Sequence, residues 1–230
     1  MLGNFDFDVI RRSLPYLFLD GMTFTLMLTG LAALGGLVFG TLIALMRLSG
    51  NRLLGYIAAA YVDFMRSLPL VLVIFWFYFL VPYIGQWLTG GSRPIRVGAF
   101  TSTLVTFVMF EAAYFSEIMR AGIQSISKGQ PAAASALGLT YSQSMRYIVL
   151  PQAFRNMLPV LLTQTIVLFQ DTSLVYVLSI PDFLGAASKI ANRDYRLIEM
   201  YSFVAVVYFI ISYGLSTLVK HLQSRIAIIR

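Results

Sequence analysis

The sequence predicts an all-α integral membrane protein of about five transmembrane helices, with one comparatively polar segment left to face water. Three observations carry that prediction. Of 230 residues 58% are hydrophobic and only 12% charged, and mean hydropathy is +0.78, far from the balance of a soluble domain. The apolar residues gather in stretches of about 20, the length an α-helix needs to cross a hydrocarbon core. Between two of these stretches lies Gly129 to Pro151, GQPAAASALGLTYSQSMRYIVLP, which is helix-compatible but not apolar enough to span.

The same composition removes several function classes. A net charge of +7 on a membrane protein is not a nucleic-acid footprint, because Lys and Arg at span ends act as topology signals and headgroup anchors. The chain has no cysteine and a single histidine, His221, so disulfides, thiolate metal sites and a histidine site are not expected. None of Lys128, Lys189 and Lys220 follows a glycine, so there is no GxxxxGK[ST] phosphate loop and no expectation of ATP hydrolysis by this chain.

In chain order, residues 1–20 carry Asp6, Asp8, Asp20, Arg11 and Arg12 without the short apolar core of a cleavable signal. The first span is therefore expected to be its own insertion signal. It is placed at Gly21 to Met46, which is uncharged and includes the GxxxG step Gly36 and Gly40, where another helix can approach closely. A second span is expected from about Tyr56 to Pro82, with Asp63 and Arg66 three apart on one face and able to pair at the interface. Pro69 removes a backbone donor, so a kink beside Ser67 is expected.

The third span, Val97 to about Ile118, contains Glu111 and Glu117, which need partners or water, and Arg120 stands one turn beyond Glu117. The fourth, about Asn156 to Ile180, carries Asp171, Thr172 and Ser173 near the middle of its apolar run. An unpaired carboxylate at such depth costs roughly 3 kcal/mol or more, so Asp171 must be neutral, paired or wetted. Arg66 is its expected partner if the pair is structural. A loop with Pro181, Gly185, Lys189, Arg193 and Arg196 then precedes a fifth span, Met200 to Val219, and a basic tail, 221–230.

Within the polar segment, Ala132 to Leu137 is a run of good helix formers that stops at Gly138, where a helix can end in a left-handed residue. A second short helix is expected from Thr140, a capping hydroxyl, until Pro151. Periodicity alone is also satisfied by an interfacial helix pair that merely connects two spans.

The order of residues adds to this. Gly138, nine intervening residues, then Ile148, Leu150 and Pro151 resembles the coupling loop of ABC importer permeases, with Ala133 and Ala134 matching its Glu-Ala-Ala start. Ala132 stands where that pattern has Glu, which removes a carboxylate able to pair with a basic residue on a partner. The resemblance extends from Thr23 to about Lys220, through SEIMRAGIQSISKGQ, IVLPQAFRNMLP and FQDTSLVYVLS, to the polar amino-acid ABC importer permeases. It looks nearest to a permease subunit of the glutamate/aspartate importer, a group in which the coupling-loop Glu is often replaced by a small residue.

That resemblance implies a type I ABC importer permease with a domain at 21–220 and a cytoplasmic coupling loop at 119–155. It implies separate ATPase subunits that bind ATP and Mg, with no cofactor in this chain. It also implies a second permease subunit, as homo- or heterodimer, a solute-binding protein outside, and a bacterial inner membrane. Carried over residue by residue, Ala132, Ala133, Ala134, Gly138, Ile148, Leu150 and Pro151 form the ATPase contact.

Arg66, Ser67, Glu117, Asp171, Thr172 and Ser173 are candidates for lining the substrate path on physical grounds, since an amino acid offers an ammonium to carboxylates and carboxylates to Arg or hydroxyls. Lys and Arg counts favour a cytoplasmic coupling loop and C-terminus with the N-terminus outside by nine to seven. An ion-gradient-driven secondary transporter subunit would also bury Asp171 and Glu117, but usually has paired repeats and more spans. A structural membrane assembly subunit would leave these acids without a reason.

Overall fold

The computed structural model describes residues 5–226; residues 1–4 of the N-terminal segment and 227–230 of the tail lie outside them. The described residues form eight helices and no strand. These are α1 (Phe7–Leu48), α2 (Arg52–Arg66), α3 (Leu70–Thr89), α4 (Ala99–Gln124), α5 (Gly129–Ala136), α6 (Tyr141–Leu178), α7 (Phe183–Asp194) and α8 (Leu197–Ile226). Five of them, α1, α3, α4, α6 and α8, are long and apolar enough to cross a membrane. The chain divides into two compact units, one holding the residues up to Leu34 with Leu68–Val108 and Ile166–Leu215, the other Gly35–Ser67, Met109–Thr165 and the residues from Ser216 on.

In the first unit, α1 begins well before the expected Gly21 because Asp6 caps it, accepting the Asp8 and Val9 amides at 2.9 and 3.3 Å. Its interior Pro15 is followed by a wider π-helical turn, Tyr16–Met22. The stretch expected as a loop after the fourth span instead folds as α7, capped by Asp182. Phe183, Ala186, Ala187, Ile190 and Ala191 of α7 are buried with Leu17, Met22, Phe169 and Met200. Gly21 makes this crossing possible, since a Cβ there would stand 3.0 Å from both the Ala186 Cβ and the Phe183 Cα. One turn on, Thr25 Oγ1 accepts the Phe183 amide at 3.0 Å.

The second span also differs from expectation. Helix α2 ends at Arg66 and Pro69, at φ −61 and ψ 130, caps a new helix, so only Leu70–Thr89 is a candidate crossing. The residue before a proline is driven out of the α region, which turns the expected kink into a break. Ser67 closes α2, its amide bonding to the Asp63 carbonyl at 3.1 Å and its hydroxyl donating to the same oxygen at 2.6 Å.

In the second unit, the GxxxG step of α1 receives α4 of the same chain. A Cβ on Gly36 would meet the Glu111 Cβ at 2.8 Å, and one on Gly40 the Phe115 Cβ at 2.9 Å. Ala44, Phe115, Met119 and Leu161 pack together, and Val62 and Met65 of α2 pack on Ala113. The Tyr61 hydroxyl donates to the Met109 carbonyl at 2.6 Å.

Helix α6 runs through Pro151, where the expected helix stops. The reason is local: Met145–Val149 is a π-helical turn, and the Leu150 amide reaches back to the Met145 carbonyl. Opening the turn by one residue moves a carbonyl away from the proline ring, which would otherwise clash in a regular helix. Pro82 in α3 follows Trp76–Leu80 in the same way, with the Val81 amide on the Trp76 carbonyl.

Candidate functional site: a surface turn and the polar groups behind it

The segment between α4 and α6 ends its first helix in a complete left-handed turn. Gly138 adopts φ +81, its amide bonds to the Ser135 carbonyl at 3.0 Å, and the Leu139 amide reaches the Ala134 carbonyl at 3.1 Å. These are the two bonds of a Schellman motif, which satisfies carbonyls that a helix end leaves open. Two residues later Thr140 and Gln143 form a reciprocal capping box, Thr140 N to Gln143 Oε1 at 2.8 Å and Gln143 N to Thr140 Oγ1 at 3.3 Å. The turn is therefore fixed from both sides.

Of the residues read as a docking surface, Ala132, Ala133, Gly138, Leu150 and Pro151 are exposed, Ile148 is half-buried and Ala134 is buried. Sequence reading missed the two most prominent side chains of the turn. Leu137 and Tyr141, on either side of Gly138, are each 80% exposed. Their signal was present as two large apolar residues bracketing a turn in a polar segment, a pattern that marks interaction surfaces.

The ends of this segment are drawn together where it leaves α4 and enters α6. Asn156 Nδ2 donates to Ser125 Oγ at 2.8 Å, and Ser125 Oγ donates to the Gly122 carbonyl at 2.7 Å. An open cavity of about 310 Å³ lies alongside, lined by Ile118, Ala121, Gly122, Met157 and Val160 with Glu117, Ser125 and Asn156.

The polar positions read as path candidates fall in both units. In the second unit, Glu117 is clasped by two arginines. Arg47 Nη1 donates to its Oε2 at 2.5 Å, Arg120 Nε donates to the same oxygen at 3.1 Å, and Arg120 Nη2 donates to Oε1. Arg66 does not pair with Asp63; its guanidinium lies over the Tyr114 ring at 5.4 Å, a cation–π contact. Glu111, wholly buried, accepts from Gln164 Nε2 at 3.2 and 3.3 Å.

In the first unit, Asp171 ends the regular α-helical part of α6, and Thr172–Leu178 continues as a tighter 3₁₀ helix. Asp171 is half-buried and, among the described residues, its side chain makes no hydrogen bond or ion pair. Thr172 is buried, its hydroxyl donating to the Phe169 carbonyl at 2.7 Å; Ser173 is half-buried. Among the described residues there is no cluster of acidic or histidine side chains able to hold a metal.

Long apolar helices that carry carboxylates, together with a doubly capped turn presenting apolar side chains, point to a transport subunit of a membrane. The chain belongs to the family described as binding-protein-dependent transport system inner membrane component, whose profile matches residues 36–228. It is 54% identical to the glutamate/aspartate import permease protein GltK of Escherichia coli O6:H1, over 97% of this chain and 99% of that one. It is 33% identical to the glutamine transport system permease protein GlnP of Escherichia coli strain K12, over 98% and 100%.

A crystal structure of an amino acid ABC transporter with histidines superposes with a TM-score of 0.85 at 33% identity, covering 96% of this chain and 98% of that one. The inward-facing MetNI methionine ABC transporter shares the fold at a TM-score of 0.73 and 19% identity, over 93% and 97%. This chain is thus a permease subunit of an amino-acid ABC importer, a multi-pass membrane component of a transporter rather than an enzyme. Family membership sets aside both the ion-gradient-driven transporter and the purely structural subunit.

Proposed function

We propose that this chain forms one wall of an import path for acidic amino acids, glutamate and aspartate, and that its residues 129–151 dock on a separate ATPase. The observation that carries the docking is the turn at Gly138, locked by a Schellman motif and a capping box and presenting Leu137 and Tyr141. A fixed apolar knob loses little conformational freedom on binding, so its burial in a partner groove converts efficiently into affinity. Ala132 and Ala133 add a small, flat, exposed surface beside it.

The partner binds ATP and Mg. A second permease, a copy of this chain or a different one, completes the path, and a binding protein delivers substrate from the side of the N-terminus, taken as outside, with the C-terminus cytoplasmic. Asp171 faces that path: it is half-buried and unpaired among the described residues, and a carboxylate in that state needs water or a substrate ammonium. Vesicles containing the complete importer test the reading. ATP inside should drive glutamate uptake, and omitting the ATPase should abolish it.

A further inference from the structure

Glu117 sits where three helix ends converge. Arg47 lies in the last turn of α1, Asp63 in the last turn of α2, and Glu117, Arg120 and Gln124 in the last turns of α4. Arg120 meets Glu117 with two nitrogens and donates to Gln124 with a third. Side-chain exposures of 15% for Arg47, 24% for Glu117 and 26% for Arg120 put the pairs in a partly dry setting, where charge-assisted bonds are stronger than at an open surface.

The same end of α4 is fastened to α6. Gly122 lies against Met157, where a Cβ would come within 2.8 Å of the Met157 Cβ, and Asn156 holds Ser125. The segment 129–151 is therefore carried on a block whose base reaches α1 through Glu117, while the end of α2 lies on the same helix, α4, through Arg66 over Tyr114. We infer that Glu117 is a positioning residue of the transport cycle: it makes the end of α1 move with the docking segment, so that ATPase motion becomes helix motion. This rests on the docking reading above and reassigns Glu117 from the substrate path to the drive.

The test uses the whole importer in vesicles and measures amino acid imported per ATP hydrolysed. Arg47→Gln leaves the Glu117–Arg120 pair intact, so no carboxylate is orphaned and the complex assembles. Import per ATP is expected to fall about tenfold, a coupling loss of about 1.4 kcal/mol, while hydrolysis continues. Arg47→Lys restores part of it, and Glu117→Gln combined with Arg47→Gln is no worse than Glu117→Gln alone, because both cut one joint. Wild-type import per ATP in Arg47→Gln overturns the inference.

A second measurement leaves the clasp untouched. The separation between spin labels at Leu45 and Lys128, both exposed, should be the same in nucleotide-free and ATP-bound complexes; a change of several ångström overturns the inference whatever the variants do. Gly138→Val separates the two layers. If it loses the ATPase while Arg47→Gln transports normally, only the role of Glu117 fails; if it keeps the ATPase and uptake, the docking reading fails first.

Discussion

Gly122 and Met157 are packed so closely that a single carbon added to Gly122 would lie 2.8 Å from the Met157 Cβ. The neighbour it would strike is the root of a side chain, which cannot swing aside as a flexible tip could. Gly122→Val is therefore expected to destabilise the second unit by about 1–3 kcal/mol, the range for overpacking a tight core. A lower thermal midpoint in detergent, with Gly129→Ala unchanged as control, checks it.

The turn at Gly138 is constrained by conformation and not by space, because a Cβ there would meet nothing within 4 Å while φ is +81. Gly138→Ala should cost about 1–2 kcal/mol locally and Gly138→Val more, since β-branching disfavours the left-handed region further. Copurification of the ATPase should fall in that order. Leu137→Ala with Tyr141→Ala should weaken it about as much with the fold intact, as expected for truncating a binding hot spot by roughly 2 kcal/mol or more.

Asp182 gives the first unit a dependence on pH. Burial pushes its carboxyl up to about 7, against the opposing pull of the Gly185 and Leu184 amides it accepts. A carboxyl raised in the folded state contributes stability that is complete below its ordinary value near 3.8 and is lost as pH rises through about 7. Asp182→Asn keeps the cap without the charge. Its thermal midpoint should match wild type near pH 4 and exceed it increasingly up to pH 8; a constant difference would contradict the assignment.

Much of this could be read from the sequence because the physics was local. The Gly138 end of a helix and the Thr140 cap each depend on a few adjacent residues, whereas at Pro69 only a kink was expected and the helix breaks. Pro151 defeated the same logic because the wider turn at Met145–Val149 has no single-residue signature. Helix α7 was read as a loop although Phe183, Ala186, Ala187 and Ile190 repeat at helical spacing; three basic residues and Gly185 masked the pattern. Which helix fills the Gly36 and Gly40 groove, and that Glu117 is shared between Arg47 and Arg120, depend on contacts about 70 residues apart in sequence. No local pattern fixes such pairings.

Asp171 separates a path role from a structural one. Asp171→Asn keeps shape and hydrogen bonding, and Asp171 has no ion-pair partner among the described residues to orphan. Complex yield should therefore stay normal while uptake weakens about tenfold, the effect of losing one charge-assisted contact to substrate. Normal uptake in this variant would remove Asp171 from the path.

The central claim is that this chain imports an amino acid by coupling residues 129–151 to a separate ATPase. Uptake of labelled glutamate into vesicles holding the complete importer, with binding protein outside and ATP inside, tests it directly. Uptake should require ATP and the ATPase, should vanish in Gly138→Val, and should ignore an imposed proton or sodium gradient. Uptake driven by such a gradient with the ATPase absent would contradict the account.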